Sequence, residues 1–428
     1  SLLAMGNTNP INFGWGDKIA PRIGGAWDVF RNGKLKVSGS YSVFYDTMKY
    51  ELPRGSFGGE VYLREWRTLD VLDYTKITLP PPFGLGGPGT RIRGPIDYRY
   101  PSNVWGANDR PGVDPELRPM REHEYSATVE YSFSPTVLLS GRFTRKALDA
   151  AIEDVGGTDS KGNEVYTIGN PGLGATVKYF DPPTPFAVRE YTGLEIRLDK
   201  RFSRNWFTNV SYVVSKLYGN YGGLASSDED GRTSPGVNRY FDLPELVYDT
   251  HGKQVLGRMP TDRPNTVKIF AAYLFNWKLG GKAMESQVGL NQYLYQGIPI
   301  QTKLREDTGN GGDYIYPEGR GDMGRTPFYS RSDIVFTHYW KVTENAKVRL
   351  SFNVTNLFDQ RTVNNKYPYY LDGAGGPLQY DGLNDLLKSN GDWKARAVKQ
   401  GKPLDALYGM NNGWTGPREL RWSFGFQW

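Results

Sequence analysis

The sequence predicts an all-β chain, a transmembrane antiparallel β-barrel of which it supplies about eleven C-terminal strands. Three observations predict it. Apolar and polar residues alternate strictly along segment after segment of about ten residues, the length a tilted strand needs to cross a bilayer. Short turns alternate with long polar connections, the asymmetry of barrels that sit in an outer membrane. No run approaches the roughly 20 consecutive apolar residues of a membrane helix. A mean hydropathy of −0.57 still suits a barrel, because only every second strand residue meets lipid.

Composition agrees without deciding. Across 428 residues, 29 Tyr, 20 Phe and 11 Trp accompany 52 Gly and 28 Pro, a mixture that suits many strands joined by turns. A soluble β-propeller or glycan-active enzyme shares it. Cysteine is absent, and a closed barrel is stapled by its own ladder rather than by disulfides. The net charge of +6 is modest for this length and reads as a solvated loop surface, with no nucleic-acid partner expected. The chain opens Ser-Leu-Leu-Ala-Met without a signal peptide, so it is read as a mature fragment or an incompletely covered protein.

The alternation can be followed strand by strand. Ile23, Gly25, Trp27 and Val29 share one face against Arg22, Gly24, Ala26 and Asp28. Arg31-Asn32-Gly33-Lys34 then has the Asn-Gly chemistry of a tight hairpin. The return strand sets Leu35, Val37, Gly39, Tyr41, Val43 and Tyr45 against Lys36, Ser38, Ser40 and Ser42. Tyr125, Ala127, Val129, Tyr131 and Phe133 alternate with Glu124, Ser126, Thr128, Glu130 and Ser132; after Ser134-Pro135, Val137, Leu139, Gly141 and Phe143 continue the pattern. Leu194, Ile196 and Leu198 precede a Ser203-Arg204 turn and the strand of Thr208, Val210, Tyr212 and Val214. Val267 to Phe275 pairs with a weaker strand near Val288, Leu290 and Leu294. Ile334 and Phe336, then Val348, Leu350, Phe352 and Val354, lead to a last strand of Leu420, Trp422, Phe424, Phe426 and Trp428.

Short turns at 31–34, 134–135, 203–204, 277–283 and 342–346 alternate with long segments at 47–121, 147–189, 218–262, 297–328 and 358–416. The long ones are expected outside the cell. An open sheet cannot sit in lipid, where each unpaired edge group costs several kcal/mol. The first and last strands both run towards the periplasm, so an odd number of further strands is expected, for a whole of about 22, the class whose lumen is plugged. Residues 1–18 then read as the remnant of an extracellular loop and 19–428 as the C-terminal half of the barrel, with plug and N-terminal domain outside this chain.

Several motifs resemble TonB-dependent receptors, and the Oar-like ones in particular. They are Ala20-Pro21-Arg22-Ile23-Gly24-Gly25-Ala26-Trp27-Asp28 with Phe44-Tyr45-Asp46; Asp114-Pro115-Glu116-Leu117-Arg118-Pro119-Met120; and Ala151-Ile152-Glu153-Asp154-Val155-Gly156. Lys200-Arg201-Phe202, Ser211 to Leu217 with Gly219-Asn220-Tyr221, Asp262-Arg263-Pro264 and Gly324-Arg325-Thr326-Pro327 continue the series. Asn353-Val354-Thr355-Asn356-Leu357-Phe358-Asp359 matches the N-V-x-N-L-F-D run of the penultimate strand and its exit. In this order they cover nearly the whole chain. The resemblance implies an outer-membrane receptor moving a bulky solute, peptide or protein included, driven through a TonB complex that contacts the absent half. It further implies that the terminal aromatics Phe424, Phe426 and Trp428 are read by the barrel-assembly machinery. The surroundings of such a barrel are the lipid bilayer and lipopolysaccharide of a bacterial outer membrane.

No catalytic constellation stands out, and a non-enzyme is expected. His123, His251 and His338 are scattered, and interface packing is the expected role of the first and last. Asp228-Glu229-Asp230 offers carboxylates to Ca²⁺, which takes six to eight oxygens, although a solvated loop explains the run as well; no other cofactor is expected. Arg22, Lys36, Glu130, Arg142, Glu195, Arg197, Lys268, Asp333 and Arg349 fall on the polar face and should line the lumen, meeting water, plug or solute. In the loops, Tyr98, Tyr100, Trp105, Tyr314, Tyr316, Tyr367, Tyr369 and Tyr370 are the candidate recognition residues, outer-leaflet anchoring being the rival role. Leu383, Leu386 and Leu387 have helical spacing, so 381–410 should hold a short helix acting as lid or loop scaffold. The competing function is a passive structural or adhesive barrel, and a weaker one is a soluble glycan-active enzyme.

Overall fold

In a computed structural model of the chain, the residues described are 13–46, 63–68, 73, 89–97, 113–158, 164–222, 241–309, 312–343 and 346–428. One antiparallel ladder dominates them. Its strands are β1 Arg22–Asp28, β2 Leu35–Tyr45, β3 Arg121–Ser134, β4 Val137–Ala150, β5 Arg189–Ser203 and β6 Trp206–Gly219. It continues through β7 Asn265–Leu279, β8 Lys282–Tyr295, β9 Tyr329–Lys341, β10 Lys347–Thr355 and β11 Glu419–Gln427. Each strand pairs with the next in chain order, and Gly257–Arg258 adds a short strand along β6. The meander follows from the turns, since antiparallel neighbours need only a few residues between them.

The turn chemistry explains the tight ends. Arg204 and Asn205 both take the left-handed conformation, as do Gly280 and Gly281. Two such residues in succession make the turn whose twist matches a hairpin. At the first turn, Asp28 Oδ2 accepts from the Gly33 amide at 2.7 Å and Asn32 Oδ1 from the Lys34 amide at 3.0 Å.

The apolar parity faces outward. Trp27, Val129, Phe133, Ile196, Phe275 and Phe336 are exposed, and Trp422 and Phe424 reach 72% and 73% exposure. A soluble protein does not display a continuous apolar band of this kind, whereas lipid covers it without cost. His123 and His338 sit at the band's edges in packing roles, as expected. His338 Nδ1 lies 2.8 Å from Ser286 Oγ with its ring against Trp277 and Trp340, and His123 Nδ1 meets Tyr41 Oη at 2.8 Å.

The buried core is elsewhere, in the long connections. Leu243 and Leu246 of one loop, Leu304 and Ile315 of the next, and Leu371, Leu378, Tyr380, Leu386, Trp393 and Ala397 of the last form one apolar cluster. The expected helix in 381–410 is two helices, α1 Gly382–Lys388 and α2 Trp393–Lys399. They bury Leu386 and Trp393 in that cluster, so they scaffold the loops. Arg396 of α2 binds Asp385 of α1 in a two-pronged pair at 2.7 and 2.9 Å, which fixes the helices against each other.

Candidate lumen and loop recognition site

The nine polar-face residues all belong to the parity opposite the apolar band, and the ladder pairs several of them. Lys36 and Glu130 are register partners with Nζ 2.9 Å from Oε2. Arg142 and Glu195 stand directly opposite across β4 and β5. Arg197 reaches Asp199 at 2.8 Å, and Arg22 lies over the Phe44 ring at 4.7 Å. Lys268 faces Ser211 and Tyr293 across its two ladders. Arg349 stands opposite Gly425, where a Cβ would lie 3.4 Å from its Nε, so the glycine leaves the guanidinium room. Asp333 is spent on structure: it accepts from Arg331 at 2.9 Å and from the Asn356 amide at 2.8 Å.

Near the long-loop end of this polar face lies a group outside the candidate residues of the sequence. Tyr295 stacks on Tyr329 with centroids 5.5 Å apart, Tyr293 is 6.0 Å from Tyr295, and Phe270 meets Tyr293 edge-on. Arg331 lies 4.9 Å over the Tyr293 ring, and Arg263, from the loop above, 5.4 Å over Tyr295. Parity carried the signal, since Tyr293 and Tyr295 flank outward Leu294. Such a wall offers flat aromatic surface and guanidinium donors at one place.

Of the loop tyrosines, the fold brings three together. Tyr369 meets Tyr314 at 4.8 Å and Tyr367 at 5.3 Å, both edge-on, with Lys303 Nζ 5.6 Å over its ring. Tyr314 is exposed, while Tyr367 and Tyr369 are half-buried. The Asp405 carboxylate bonds the Tyr367 hydroxyl and raises its pKa. Tyr316 is buried under Arg320, and Tyr370 packs edge-on against Trp393, so both stabilise the loop core. Tyr98, Tyr100 and Trp105, and the Asp228-Glu229-Asp230 run, lie outside the described residues. Among the described residues no cluster of three or more His, Asp or Glu could hold a metal.

Most of the recurring motifs prove to be staples at the loop bases. Asp114 accepts from the Glu116 and Ala175 amides, both at 2.8 Å. Asn220 accepts from the Val188 amide at 2.7 Å and donates to Phe186 at 2.9 Å. Asn356, in the left-handed conformation, donates to the carbonyls of Gln360 and Gly416 and closes the last loop. Asp262, its side chain fully buried, accepts from the Leu217 amide at 2.7 Å and from Arg258 and Arg325. Two motifs sixty residues apart, Asp262-Arg263-Pro264 and Gly324-Arg325-Thr326-Pro327, thus meet in one ion pair.

Comparison with known proteins agrees with this geometry. An outer membrane beta barrel domain model matches residues 5–310. The TonB-dependent transporter Oar of Myxococcus xanthus is 28% identical over 374 residues, covering 84% of this chain and 33% of the relative. The chain thus spans about a third of that relative's length. Among solved structures, the ferripyoverdine receptor of Pseudomonas aeruginosa superposes on 95% of this chain and 32% of its own, at 9% identity and a TM-score of 0.42. The outer-membrane transporter YddB of Escherichia coli covers 80% and 37%, at 10% identity and 0.41. The family match spans well over half the sequence, so the chain belongs to the outer membrane beta barrel domain family and is a β-barrel chain of the bacterial outer membrane.

Proposed function

We propose that this chain is the C-terminal half of the barrel, residues 19–428, of a TonB-dependent receptor that moves a bulky solute, peptide or protein, across the outer membrane. The likeness to the Oar transporter over 84% of the chain carries this reading. That relative extends far beyond the matched third, which leaves room for a plug and a TonB-contacting segment in the remainder. The solute meets the Tyr314, Tyr367 and Tyr369 patch first, then the Tyr293, Tyr295, Tyr329 and Arg331 wall. Aromatics with arginine are the residue types that dominate binding hot spots.

The test uses cells that carry the full-length receptor and fluorescent oligopeptides too large for porins. Accumulation should collapse on adding a protonophore. Uptake that ignores the protonophore marks a passive barrel and rejects energised transport. Changing Tyr314, Tyr367 and Tyr369 together to alanine should lower binding about a hundredfold or more, at roughly 1 kcal/mol or more per lost anchor. The heat-modifiable, folded form should persist, because the strands are untouched.

The end of β11 takes a second role in this reading. Phe424, Phe426 and Trp428 project outward, and the last two rings lie 5.7 Å apart. Removing Phe426 to Trp428 should sharply lower the amount of receptor assembled in the outer membrane, whereas Trp428→Tyr should leave it near normal. Equal, near-normal amounts from both variants make these aromatics ordinary interface residues.

A further inference from the structure

The loop core holds a group that the transport reading leaves unused. Glu306 lies on the strand Leu304–Asp307, which pairs with Asp313–Ile315 and, in parallel, with Leu378–Gln379. It is fully buried at 0% exposure between Leu304 and the two segments it pairs with. Among the described residues neither of its carboxylate oxygens has a partner at full hydrogen-bond geometry, and the Asp313 backbone amide is the donor that acts on it. Glu245, on the turn Pro244–Leu246 of the preceding loop, is equally buried and acts on it electrostatically.

We infer that Glu306 holds a proton and is the latch that keeps the three-loop cap shut, so that the cap opens as the medium turns alkaline. An ionised carboxylate in that position would be cut off from water among negative neighbours, and a buried charge so placed neutralises instead. Protonated, Glu306 carries no charge for the buried core to compensate. It sits where the loops 218–262, 297–328 and 358–416 contribute to one core, so the state of a single proton acts on all three.

The charges around it point the same way. Burial is the largest cause that pushes its carboxyl up to about 9, and the negative groups Glu245, Asp307 and Asp313 add to it. The Asp313 backbone amide favours the charged form and is outweighed. From the third loop comes Tyr380, whose own pKa is raised chiefly by burial; the guanidinium that lies 4.5 Å over its ring, Arg396, is already held by Asp385 and Asp392. The folded pKa is raised, so the cap is tightest below the ordinary carboxyl value of 4.5. Its opening constant then grows about tenfold per pH unit up to the folded pKa. A receptor built this way grips its loops more firmly in acidified surroundings.

The experiment is amide hydrogen exchange on the full-length receptor in outer-membrane vesicles between about pH 5 and pH 8.5, corrected for the intrinsic rate. Amides of 304–307, 378–380 and α1 should share an opening constant that rises about tenfold per pH unit, while β5 and β6 stay flat. Glu306→Gln, neutral at every pH, should remove the rise. A pH-independent cap in the native protein, or an unchanged slope in Glu306→Gln, overturns the latch. So does opening by EDTA that calcium reverses, because the carboxyls then hold a cation. Should Glu306→Gln not fold, Glu245→Gln serves: losing that negative neighbour must lower the opening constant at pH 8.5, and an unaltered value is equally fatal. Failure here leaves transport untouched, since the protonophore assay reads a separate property.

Discussion

Asp262→Ala is expected to free the two loops that meet at its carboxylate while leaving the barrel assembled. The side chain is fully buried and binds Arg258, Arg325 and the Leu217 amide, and Arg325 also reaches the carbonyls of Asp262 and Gly297. Removing one partner of a buried pair leaves the others uncompensated, at a cost of about 3–5 kcal/mol. Both arginines keep a route to water, so the lower end, about 3 kcal/mol, is expected. Limited proteolysis should then cut within 241–262 and 297–325 at rates about a hundredfold higher, following the local opening equilibrium. The folded band in heat-modifiability gels should be unchanged. Native-like protease resistance in these segments would show that the loops are held by their apolar core alone.

Val129→Arg should prevent stable insertion, and Thr128→Arg should not. Val129 is outward and exposed, in register between Val37 and Gly141. An arginine on the lipid face near mid-strand costs about 2–4 kcal/mol, whereas one residue away it enters a polar lumen. Folding yields into vesicles, measured as a urea-unfolding difference, check the pair. Equal losses from both substitutions refute the register, and a larger loss from Thr128→Arg means the faces are exchanged. The ladder makes this a sharp contrast, because successive side chains point to opposite faces.

The strands were legible because their information is local. Alternation needs only neighbours at spacing two, and it marked the eleven long strands and their two faces. The connection expected at 277–283 is a tighter turn at Gly280-Gly281 with its flanks inside the strands, and the short strand Gly257–Arg258 lies within the expected loop 218–262. Arg31-Asn32-Gly33-Lys34 was readable for the same reason, and the turn expected at Ser203-Arg204 lies one residue later, at Arg204-Asn205, because those two take the left-handed conformation. The polar-face set, proposed to line the lumen, came with parity. Tyr293 and Tyr295 lie on the same parity, but the strand around them alternates weakly, so that only Val288, Leu290 and Leu294 stand out in its sequence.

The loops were not legible in this way. Leu243, Leu304, Leu378 and Leu386 show no common period, yet they close one core from three separate connections. Tyr316 and Tyr314 are two residues apart and look alike as letters; burial under Arg320 makes one a structural residue and exposure leaves the other on the surface. Asp262 and Arg325 sat in separate motifs, and only the fold made them an ion pair. The amino-acid sequence by itself determined the barrel fold and its apolar and polar faces, because both follow from the period-two geometry of the backbone, and it showed the alternation of short turns with long loops in the spacing of the strands. Tertiary structure decided which loop residues meet, which tyrosines stay exposed and where a carboxyl is buried among negative neighbours, because those depend on contacts between distant segments that no local pattern encodes.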